Sequence, residues 1–82
     1  MSEYEIAVRV DKDNSIDPSY IVHYRVTDEG RLIGDGIVQY HRLVENNDIP
    51  INENIPWETR EQVKNRIVHS VNNYIAKLKQ LH

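Results

Sequence analysis

Apolar and polar side chains alternate at the start of the chain. Tyr4, Ile6, Val8 and Val10 are separated by Glu5, Ala7 and Arg9, the period of a strand with one buried face, and predict a strand over 3–10. "DKDNSIDPS" interrupts the pattern with turn formers. Alternation returns at Tyr20, Val22, Tyr24 and Val26 against Ile21, His23, Arg25 and Thr27, giving a second strand over 20–27. "TDEGR" reads as a hairpin turn with Gly30 in the left-handed position. A third strand then covers 31–43, one long bent strand through Gly34-Asp35-Gly36.

With Thr27 facing Arg31, Val26 pairs with Leu32, Tyr24 with Gly34, Val22 with Gly36 and Tyr20 with Val38. Two glycines then lie on the core face opposite an aromatic and a β-branched residue. Glycine there admits a close approach, by a packed helix or by the ring of Tyr24.

From Thr59 the period becomes helical, over 59–81. "TREQ" fits a capping box in which Thr59 and Gln62 bond reciprocally. Val63, Ile67, Val68, Val71, Tyr74, Ile75, Leu78 and Leu81 fall in a stripe about 140° wide at roughly 100° per residue. That stripe is the natural cover for the apolar side of the strands. The expected fold is α+β, a three-stranded antiparallel meander with one C-terminal amphipathic helix on one face (βββα).

Two apolar surfaces are left over. The second sheet face carries Ile21, Ile33 and Ile37, with Ala7 nearby. Between strands and helix, a segment over 45–58 keeps Ile49, Ile51, Ile55 and Trp57 although Pro50 and Pro56 break it. Its prolines make it extended, so it reads as a strap closing surface that one helix cannot cover, on its own chain or on another copy. The helix's far side is also unusual: Gln62, Asn65, His69, Asn72, Asn73, Ala76 and Gln80 form an arc without a full charge, where Glu, Lys and Arg ordinarily predominate.

Composition narrows the classes. Eighty-two residues make one small domain with a marginal core. The absence of cysteine leaves neither a disulfide nor a thiolate metal site and suits a reducing compartment. "MSEYEIAV" lacks the features of a signal peptide, and no apolar run reaches the ~20 residues of a membrane helix. A soluble, cytoplasmic protein with no membrane partner is expected. Net charge is −3 but polarised: Glu45, Asp48, Glu53 and Glu58 stand without a base, whereas Arg60, Lys64, Arg66, Lys77 and Lys79 face Glu61 alone.

Candidate chemistry is thin. Asp11, Asp13, Ser15 and Asp17 alternate like the start of a calcium loop, but Ile16 and Val22 stand where glycine and a bidentate glutamate belong. "GDG" has Gln39 in place of a dinucleotide fingerprint's third glycine and opens no helix. His23, Asp35 and His41 share one face with His23 opposite Asp35, yet no nucleophile or third metal ligand accompanies them. No cofactor, metal or catalytic residue is expected.

The reading is a small non-enzymatic protein-interaction module, self-associating as a homodimer or bound to another protein, in the manner of a phage or plasmid inhibitor or adaptor. Its interface would draw on Ile21, Ile33, Ile37, Ile49, Ile51, Ile55, Trp57, Asn65, His69 and Asn72. The alternative is nucleic-acid binding through Arg9, His23, Arg25, Arg31 and His41 on the sheet face, opposed by Glu5 and Asp35. The layout resembles phage integrase arm-binding and plant AP2-type domains in architecture alone; their residue motifs are missing.

Overall fold

A computed structural model describes residues 4–44 and 49–80. Three strands, β1 (Tyr4–Val10), β2 (Ser19–Asp28) and β3 (Arg31–His41), precede one helix, α1 (Trp57–Gln80). The strands form an antiparallel sheet in the order β1-β2-β3. The architecture is therefore α+β, βββα, with the helix packed on β1 and β2. Among the described residues, no helix is long and apolar enough to cross a membrane.

The core follows from the alternation of β2. Tyr20, Val22, Tyr24 and Val26 are each at most 5 % exposed. Val63, Ile67 and Val71 of the helical stripe close over them, and Tyr20 meets Tyr74 edge to face with centroids 6.0 Å apart. Val38 of β3 completes the cluster together with Ile49, Ile51 and Ile55. A fully buried aliphatic side chain contributes about 1.5–3 kcal/mol, so these three isoleucines are a main support of so small a core.

The β2–β3 register differs from the expected one, for a local reason. The turn has two residues, Glu29 (φ 52) and Gly30 (φ 83), between paired Asp28 and Arg31. Two positive φ values match the twist of a hairpin; glycine announces one of them, but a glutamate does not announce the other. A bulge follows, so Thr27 pairs with Leu32 while Val26 pairs with Gly34. From there Tyr24 faces Gly36, Val22 faces Val38 and Tyr20 faces Tyr40, two residues from the expected pairing. A shift of two preserves the pleat, and each of these residues stays on its expected face. At the bulge itself the faces exchange. Ile33, expected on the open face, packs partly buried against the core, and Leu32 turns outward at 52 % exposure.

Both strand glycines lie under a close neighbour. A Cβ on Gly36 would stand 2.6 Å from the Tyr24 hydroxyl oxygen, and one on Gly34 would stand 2.9 Å from Ile55 Cγ1. The ring approaches one of them as anticipated; the strap approaches the other.

The helix begins two residues earlier than the capping box implied. The Arg60 amide donates to the Pro56 carbonyl at 2.9 Å, which puts Pro56 at the cap and buries Thr59 in the first turn. Trp57 is thus helical rather than part of the strap. Strand β3 stops at His41, and Leu43 lies exposed beyond it. Glu3, residues 45–48 of the strap and Leu81 lie outside the described residues.

Candidate functional site: the open face and the free edge of the sheet

One side of the sheet carries α1 and the strap, and the other is bare among the described residues. Cross-strand rows on the bare side read Glu5–Thr27–Leu32, Ala7–Arg25–Asp35 and Arg9–His23–Ile37. Ala7, Arg9, His23, Arg25, Asp35 and Ile37 line a shallow depression of about 780 Å³ there. Ile37 is 64 % exposed, and Ile21 is half-buried.

The expected His23–Asp35 pair does not form, because the bulge sets Arg25, not His23, opposite Asp35. His23 Nε2 instead lies 3.2 Å from Asp11 Oδ2. The Asp11 carboxylate also accepts from Asn14 Nδ2 at 2.8 Å and from the Asp13 amide. The Asn14 bond first, and the His23 contact second, hold its pKa below the usual carboxylate range. Ser15 donates to the Asp11 carbonyl at 2.6 Å and accepts from the Ile21 amide at 2.9 Å. The Asp11 carboxylate is therefore engaged in closing the loop, and no group of three or more His, Asp or Glu able to hold a metal occurs among the described residues.

Asp17 has a separate fixed place. Arg42 Nη2 donates to Asp17 Oδ2 at 2.9 Å, and the Tyr20 hydroxyl donates to Oδ1 at 2.6 Å. The guanidinium, then the phenol, pushes the Asp17 carboxyl far below its ordinary value. Burial, reinforced by that bond, raises Tyr20 to about 12. This clamp ties the β1–β2 loop to the end of β3. Sequence reasoning missed it, since nothing local links residues so far apart in the chain.

The proposed interface residues other than the half-buried Ile21 separate into three groups. Ile49, Ile51 and Ile55 are buried against their own chain, and Ile33 packs on the same core, so these four present little surface to a partner. Ile37 and Trp57 are exposed, the latter under the Arg60 guanidinium at 5.5 Å from its centroid. Asn65, His69 and Asn72 are exposed on the helix. Of the basic set for nucleic acid, Arg9, His23 and Arg25 share one depression on the open face, and Arg31 and His41 lie outside it. Arg9 and Arg25 are on the bare face, His23 contacts Asp11, Arg31 is at the hairpin turn and His41 ends β3 half-buried.

The sheet's edges are unlike each other. Beside β3 runs the strap, where the Asn52 amide donates to the Tyr24 hydroxyl at 2.8 Å and Asn52 Nδ2 donates to the Asp35 carbonyl at 3.4 Å. Along β1 no described segment pairs with the outer side. Tyr4, Ile6, Val8 and Val10 pack on the core but are only partly buried. A strand at the end of a meander is necessarily an edge, so this region was within reach of the sequence. No protein-family model matches the chain, and neither a curated protein nor a solved structure matches it.

Proposed function

We propose that this chain is a small non-enzymatic interaction module whose primary partner is a second copy of itself. The observation that carries this reading is the incomplete burial of the core row of β1 beside the closed row of β2. Apolar side chains at a free strand edge gain from any further cover, and an edge of unpaired backbone groups is a template for another strand. The bonds of His23, Asp11 and Ser15 fasten the β1–β2 loop. A cysteine-free chain of this kind agrees with work in the cytoplasm. Light scattering across a wide concentration series tests the reading. A mass rising from monomer to dimer supports it, and a constant monomer mass contradicts it.

A second reading has its own observation. Arg9, Lys12 and Lys77 line a groove between β1 and α1 to which no carboxylate contributes, a local charge arrangement that suits a phosphate chain. A mobility shift with duplex DNA at low salt is its test, and an unshifted band removes it.

A further inference from the structure

The proposed self-association has a specific geometry written into β1. We infer that β1 pairs antiparallel with β1 of a second copy, in a register centred on Ala7, to make one continuous sheet of twice the width. This pairing rests on the dimer reading and deepens it.

The hydrogen-bond phase of β1 sets which residues can take part. The Asp11 amide donates to the Ile21 carbonyl at 2.8 Å, and Asp11 continues the ladder in which Val10 faces Val22. In an antiparallel pair, bonded and non-bonded positions alternate. Glu5, Ala7 and Arg9 therefore exchange bonds with β2, while Tyr4, Ile6, Val8 and Val10 direct their amides and carbonyls away from it. These outward residues are the ones a new strand must bond.

Only a few registers join outward residues to outward residues. In the one centred on Ala7, Ile6 bonds Val8 of the second copy, and Tyr4 bonds Val10. Glu5 then lies directly opposite Arg9, and by symmetry Arg9 opposite Glu5. These are non-bonded positions, where side chains approach most closely. Ala7 faces its own image on the two-fold axis, where a small residue is needed. Sliding the strands by one step of the pleat either way sets Glu5 opposite Ala7, or Ala7 opposite Arg9, and loses both charge pairs. The segment "YEIAVRV" is thus complementary to itself in charge and in size, as a two-fold interface requires.

Three further observations agree. Glu5 and Arg9 are exposed and belong to no ion pair among the described residues. No proline blunts β1, one of the protections a lone edge can carry. Helix α1 packs chiefly on β1 and less on β2, so the two-fold would set the two helices next to each other on one side of the joined sheet. Ser70 and Asn73, which border the β1 groove, would then face the second helix with uncharged polar groups.

Charge exchange tests the register. Glu5→Arg or Arg9→Glu alone sets like charges opposite each other twice per dimer and is expected to raise Kd about tenfold or more, measured by light scattering or sedimentation. The double variant Glu5→Arg/Arg9→Glu restores opposite charges and should recover the dimer. Both positions are exposed, and an unchanged circular dichroism spectrum verifies the fold. As the protein has no cysteine of its own, Ala7→Cys supplies an independent reading. Cα atoms about 4.5 Å apart at a non-bonded pair lie within the disulfide range, so mild oxidation should give a covalent dimer. A wild-type dimer that ignores both reversals and does not cross-link through Ala7→Cys overturns this register and leaves self-association standing. A wild-type protein that stays monomeric at every concentration overturns both.

Discussion

The two edges of the sheet solve the same problem differently. Beyond β3, the chain supplies its own cover: Ile55 presses on Gly34, Asn52 bonds Tyr24 and the Asp35 carbonyl, and Ile49 and Ile51 fill what α1 leaves open. Beyond β1, as beyond β3, no described strand continues the sheet, but at β1 four apolar side chains end half-buried. The described part of the proline-broken segment therefore covers the core face beside β3 with Ile49, Ile51 and Ile55. A chain this short has one such cover, and its helix is already shared between β1 and β2.

That contrast can be attacked from either side, beginning with the covered edge. Ile55→Ala removes a side chain that is 0 % exposed and wedged above a glycine. It should cost about 2–5 kcal/mol in denaturant unfolding, in the monomer as well as in any dimer. Gly36→Ala puts a methyl group against the Tyr24 ring and should cost about 1–3 kcal/mol by the same measurement. Tyr24→Phe keeps the ring but leaves the Asn52 amide without its acceptor, a loss of about 1–2 kcal/mol. On the bare edge, Val8→Ala should cost less in the monomer than Ile55→Ala does, since its side chain is only partly buried. Its larger effect should be on the mass seen by light scattering.

The smallest expected effect is electrostatic. The Asp17 carboxyl is depressed in the folded protein by Arg42 and Tyr20, so its contribution is whole above the unfolded value of about 3.9. As pH falls below that value the contribution declines, and it is gone once the folded carboxyl is protonated. Asp17→Asn should flatten this part of the acid unfolding curve and leave neutral-pH association unchanged. The pair is exposed and solvent-screened, which is why it ranks last.

Much of this was legible in the chain. The period of two in Tyr4–Val10 and Tyr20–Val26 and the helical stripe from Val63 specified elements, order and the core side of each. The register was not legible, because Glu29 takes a positive φ with no side-chain signature, and the bulge beyond it shifts the pairing by two. A shift of two leaves alternation unchanged. Thus Ile33 and Leu32 exchanged faces at the bulge, and the His23–Asp35 pair dissolved. The strap's isoleucines were readable as cover, but their destination was not. Proline fixes an extended backbone without saying which surface it crosses. For the candidate site, the pattern Glu5–Ala7–Arg9 lay in plain view. Its meaning depended on knowing which amides of β1 turn outward.

Amide hydrogen exchange in β1, followed at high and low protein concentration, examines the free edge most directly. The amides of Ile6 and Val8 should be protected at high concentration and exchange freely on dilution, while those of Ala7 and Arg9, bonded to β2, stay protected throughout. Fast exchange at Ile6 and Val8 at every concentration would contradict a β1 edge that pairs with its own copy.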